Sequence, residues 1–151
     1  MKKTYIELTR IIERMHRRFL DVLRAELARI DVHDLNAVQA LLLSNIGDEE
    51  IVIRDLVERG YYQGSNVSYN IKKLSEMGYL EQERSSHDKR SVRIKLTEKA
   101  LMVVAKIKEL EESNAAAIAG AGIPEGTVES AADTLRKIER IWTDHIHYGS
   151  D

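Results

Sequence analysis

Between residues 65 and 74 the run SNVSYNIKKL puts Val67, Ile71 and Leu74 along one side of a helical wheel. Ser65, Asn66, Ser68, Tyr69, Lys72 and Lys73 are left on the other. The outward set mixes hydroxyls, an amide and two ammonium groups. Such groups suit a major groove, where base edges offer donors and acceptors and the flanking phosphates take lysines. An ordinary solvated helix face is the competing interpretation.

A second cluster follows within twenty residues. Arg84 precedes the polar stretch Ser85-Ser86-His87-Asp88-Lys89-Arg90, which separates two short segments of strand character. A basic hairpin behind a helix can lie along a DNA backbone and set an arginine in the minor groove, where A·T-rich sequence is most negative. Arg90 is the residue expected there, with Arg84 and Lys89 beside it. Asp88 would repel a phosphate, so its expected role is to orient Arg90 or close the turn. A plain surface turn is the alternative.

The charge distribution favours a polyanion at this place. The chain carries 23 Lys and Arg against 25 Asp and Glu, a net charge of −2 that argues against coating nucleic acid by bulk attraction. Residues 60–96 hold seven basic and four acidic side chains, a local +3, so the remainder carries −5. A basic middle inside an acidic frame presents one surface to a polyanion and keeps the rest away.

These clusters need elements to hold them. The spacing of Leu8, Ile12, Met15, Phe19 and Leu27 predicts a long amphipathic helix from Tyr5 to Ile30. Asp34 is expected to cap a second helix through Ile46, with Gly47 as its stop. Ile51-Val52-Ile53 predicts a brief strand and Arg54–Arg59 a short helix. A break over residues 60–64 then leads into a helix from Ser65 to Met77, stopped by Gly78. Two short helices joined by a tight turn make a helix-turn-helix. Strands are expected at Tyr79–Arg84 and Ser91–Leu96. Thr97 should cap a helix through about Asn114, which the small residues 115–122 could continue, though Gly120, Gly122 and Ile123-Pro124 fit a break before a last helix carrying Val128, Leu135, Ile138 and Trp142. The fold class is mainly α with a small β-wing, in one domain of 151 residues.

Enzymatic and metal chemistry find no support. There is no phosphate-binding glycine loop, nucleophile elbow or plausible triad. Cysteine is absent, and His16, His33, His87, His145 and His147 form no helical i, i+4 ligand pair. No cofactor, no metal and no catalysis are expected. No segment approaches the ~20 apolar residues of a membrane span, and no signal-peptide pattern opens the chain, so the expected location is cytoplasmic.

Leu56 and Val67 in the helix-turn-helix, Leu74 followed by Gly78-Tyr79-Leu80, Arg84, Asp88-x-Arg90 and Leu96-Thr97 together resemble the MarR family of bacterial transcriptional regulators. The resemblance covers nearly the whole chain. It implies a homodimer held by the first and last helices, residues 1–30 and 97–147, around a winged helix-turn-helix part, residues 34–96. It further implies two recognition helices on a pseudo-palindromic operator in double-stranded DNA, and repression relieved by a small-molecule effector. Tyr69 departs from a frequent arginine, so phenolic contacts to phosphate or a thymine methyl stand beside a guanine contact. The residues themselves also point to a dimer, because the terminal helices carry apolar stripes longer than the middle can cover. Packing of those helices on each other within one chain is the alternative. So, for the winged part, is a protein-interaction module that binds no specific DNA.

Overall fold

The computed structural model describes residues 1–58, 64–84 and 92–149. The elements run α1 (Lys2–Arg29), α2 (Ala37–Ile46), β1 (Ile51–Val52), α3 (Ile53–Glu58), α4 (Gly64–Glu76), β2 (Leu80–Arg84), β3 (Val92–Leu96), α5 (Glu98–Gly120) and α6 (Glu125–Tyr148). This is a mainly helical winged helix fold with a three-stranded antiparallel sheet in the order β1-β3-β2. The chain packs as two compact units, residues 1–110 and 111–151.

The first unit owns the core. Leu23 and Leu27 of α1, Leu42, Leu43 and Ile46 of α2, Leu56 of α3, Val67, Ile71 and Leu74 of α4, Ile94 and Leu96 of β3, and Val103, Val104 and Ile107 of α5 are all buried. α1, α4 and α5 contribute stripes spaced by three or four, α2 is buried more broadly, α3 adds Leu56 alone, and β3 contributes alternate residues. In the second unit α5 ends at Gly120, and in the turn that follows Gly122 has a φ of +83° that a side chain would strain. The amide of Ile123 reaches back to the Ile118 carbonyl at 3.4 Å. Pro124 then stands at the N-cap of α6, its missing N–H costing nothing there. No residue of α6 is buried.

Several boundaries differ from the sequence expectation, α1 beginning at Lys2 among them, and three have a clear physical reason. The cap of α2 is Asn36, not Asp34: the Asn36 side chain accepts from the Gln39 amide at 2.8 Å, and the Gln39 side chain accepts from the Asn36 amide at 3.0 Å. This reciprocal capping box satisfies two orphan donors, more than a lone aspartate could. Asp34 is engaged elsewhere. Ile53 opens α3 and leaves β1 two residues long. α5 continues through the alanine-rich stretch to Gly120, because alanine is the strongest helix former and the break waits for Gly122 and Pro124. Thr97 does cap α5, accepting from the Ala100 amide at 3.4 Å. Among the described residues no helix is long and apolar enough to cross a membrane.

Candidate nucleic-acid interface

α4 stands on three buried side chains, Val67, Ile71 and Leu74, and turns its polar face outward as its periodicity demands. Asn66, Ser68, Tyr69, Lys72 and Lys73 are all exposed. The Lys73 ammonium sits 5.8 Å from the centroid of the Tyr69 ring, a cation–π approach that braces a phenol 61 % exposed. The side chain of Ser65 lies outside the described residues. So do Asp88, Lys89 and Arg90 and residues 60–63 of the expected break, whose last residue, Gly64, instead opens α4.

Both ends of α4's footing are fastened. On the α2 side, Gln39 Nε2 donates to Asn70 Oδ1 at 3.4 Å, so the residue that closes the capping box also steadies α4. At the far end α4 closes in a Schellman motif. The Gly78 amide donates to the Ser75 carbonyl at 3.1 Å and the Tyr79 amide to the Leu74 carbonyl at 2.9 Å. Gly78 has φ +83°, a conformation that favours glycine.

The sheet edge carries the second cluster. Strand alternation puts Leu80, Gln82 and Arg84 on one face of β2 and Glu81 and Glu83 on the other. The first face looks toward α4: Gln82 Nε2 donates to the Ser75 hydroxyl at 2.7 Å, and that hydroxyl donates to the Ile71 carbonyl at 2.7 Å. Arg84 is exposed at the end of this face. On the opposite face the register sets Glu81 against Lys95 and Glu83 against Arg93, so two acids meet two bases across the strands. The two acids thus stand on the side away from α4, and the exposed cations of α4 and Arg84 share a side with no described strand carboxylate among them.

Residues 35–100 match the winged helix DNA-binding domain family. Two solved structures share the fold of nearly the whole chain. The transcriptional regulator SlyA is 22% identical over 95% of this chain and 99% of its own, with a TM-score of 0.78. A MarR family transcriptional regulator from Listeria monocytogenes, solved with a 26mer DNA, is 23% identical over 95% of each chain, with a TM-score of 0.76. The sequence is also 38% identical over 146 residues to the exopolysaccharide II synthesis transcriptional activator ExpG of Rhizobium meliloti (strain 1021), a match that spans 97% of this chain and 75% of that protein. The chain belongs to the MarR family. It is therefore a DNA-binding transcriptional regulator.

Within this MarR family chain, sequence reasoning missed the residues that anchor α4. Asn36 and Gln39 were legible, since Asn-x-x-Gln before an apolar run is a capping-box pattern. Gln39's reach to Asn70 was not, because 31 residues intervene. Tyr79 follows a visible helix stop, yet nothing in the linear sequence announces that its hydroxyl donates to Asp34 at 2.6 Å, 45 residues upstream. That bond holds the Asp34 carboxyl below the usual carboxylate range, and burial, helped by the same bond, pushes the Tyr79 phenol well above its own. Among the described residues no group of three or more His, Asp or Glu stands ready for a metal ion. His33 instead lies 2.6 Å from Asp31.

Proposed function

We propose that the protein is a cytoplasmic, non-enzymatic homodimer that recognises a pseudo-palindromic operator and responds to a small-molecule effector. The carrying observation is the exposed polar face of α4 above its buried apolar footing. In this assignment Ser65, Asn66, Ser68 and Tyr69 meet base edges, while Lys72, Lys73, Arg84, Lys89 and Arg90 neutralise phosphates or enter the minor groove and Asp88 orients the wing. Residues 34–96 form the DNA-binding part, and residues 1–30 and 97–147 pair the protomers. Uncovered apolar side chains support the pairing: Met15 and Phe19 on α1, and Val128, Leu135 and Ile141 on α6, are exposed in the single chain. Burial against a symmetric copy is the simplest cover. Effector response rests on membership of the MarR family.

The family resemblance implies repression. The 38% identical relative is named an activator, and this favours activation as a second reading. Position of the operator relative to a promoter decides the sign.

Selection of purified protein on a pool of random duplexes at near-physiological salt tests the proposal. The expected result is enrichment of an inverted repeat with half-sites about one helical turn apart. Retention that is weak, salt-sensitive and without enrichment would overturn operator recognition and favour a protein partner for α4. Placing the enriched site upstream of, or across, a reporter promoter then separates activation from repression.

A further inference from the structure

Three segments distant in sequence meet at the end of α4. Tyr79 is 2 % exposed, and its hydroxyl bonds Asp34 in the segment between α1 and α2. Lys99, in the first turn of α5, holds its ammonium 4.2 Å from the centroid of the Tyr79 ring. The same ammonium donates to the Met77 carbonyl at 2.9 Å and reaches Asp34 Oδ2 at 3.5 Å. Thr97 completes the group by donating from its hydroxyl to the Gly78 carbonyl at 2.7 Å. A carboxylate, a phenol and an ammonium thus satisfy one another. Together with Thr97 they grip the two carbonyls that follow α4, and a cation there also complements the negative end of the helix dipole.

We propose that Tyr79 is a positioning residue for DNA recognition, fixing the attitude of α4 against the α1–α2 segment through Asp34 and Lys99. The proposal rests on α4 being the element that reads DNA. Base contacts demand placement within about 0.5 Å, whereas a lysine reaches a phosphate as a flexible point charge. Loosening the turn after α4 therefore costs recognition of the preferred sequence and spares general attraction to DNA.

The test uses Tyr79→Phe, Asp34→Ala, Asp34→Asn and the double variant Tyr79→Phe/Asp34→Ala in the full chain, each shown to be folded by circular dichroism well below its thermal midpoint. The probes are the duplex that the parent protein enriches from a random pool and a scrambled duplex of equal length. Tyr79→Phe and Asp34→Ala are each expected to weaken binding to the enriched duplex about tenfold and to the scrambled one by less than about twofold. The double variant binds no more weakly than the weaker single one, because both remove the same bond. Asp34→Asn keeps an acceptor oxygen for the phenol and recovers most of the affinity. Equal losses on both duplexes, or parental affinity for both with only a lowered thermal midpoint, would overturn the positioning role. Should the parent enrich no duplex, operator recognition itself has failed, and amide exchange over residues 72–77 decides the structural claim. Faster exchange in Tyr79→Phe supports it, and unchanged exchange overturns it.

Discussion

α4 and α6 are both amphipathic helices, yet they solve opposite problems. α4 buries Val67, Ile71 and Leu74 within its own unit and keeps a polar face outside. α6 is longer by eleven residues, 24 against 13, and buries none of its own. Val128, Leu135 and Ile141 stay exposed along it, and Ala132, Ile138 and Trp142 are half-buried. A helix whose apolar stripe is covered at home is finished by its own chain. One whose stripe is uncovered awaits another surface. Sequence periodicity reports the stripe in both cases and is silent about who covers it.

The largest expected effect breaks the covered side of that contrast. Leu74→Ala removes a side chain with 0% exposure, and large-to-small changes at such sites cost about 2–5 kcal/mol. Urea denaturation should record this loss; a cost below about 1 kcal/mol would mean that α4's footing is looser than its burial implies. The uncovered side is tested by Leu135→Lys. Placed in an interface, an unpaired ammonium costs several kcal/mol, so self-association should weaken by about two orders of magnitude or more. Sedimentation should show half the parental mass with circular dichroism unchanged. An unaltered mass would assign the stripe of α6 to something other than a second copy.

A smaller effect sharpens the outward face. Lys72→Ala should lower affinity for all duplexes alike and reduce the log–log salt slope by about 1, as expected for one phosphate contact. A changed sequence preference with intact affinity would reverse the roles given to Lys72 and Tyr69. The smallest effect concerns acid. Asp34's folded pKa is lowered chiefly by the Tyr79 hydroxyl, so its contribution to stability is complete above the ordinary aspartate value of about 3.9. That contribution is lost as pH falls through the lower folded value. Urea melts of the parent and Asp34→Asn from pH 6 downward should therefore converge in the acid range. A constant gap between them would show that the bond does not depend on Asp34's charge.

Local signals made most of the fold legible. Gly78 stops α4 and Thr97 caps α5 where expected, because each acts within a few residues of its own position. The apolar triplet of α4 declared its inward face for the same reason. Asp34 misled as a cap because an aspartate before a helix is a good capping residue until a stronger local pair competes for the place. Asn36 and Gln39 are that pair. α5 outran its expected end at Asn114 because Ala115–Ala119 lacks side chains that declare a face, while its helix propensity is high. At the interface, composition revealed which side chains face out. The brace beneath them stayed hidden, since Asp34–Lys99 and Gln39–Asn70 join residues 65 and 31 positions apart.

The seating of α4 on Val67, Ile71 and Leu74 also bears on how such a protein changes its targets over generations. Asn66, Ser68, Tyr69 and Lys72 stand in solvent, where substitutions usually shift stability by no more than about 0.5 kcal/mol. With the base-reading role proposed for this face, a gene copy could exchange the letters it reads while its thermal stability hardly moved. Divergence of operator preference would then proceed by single steps, each viable, without compensating changes in the interior.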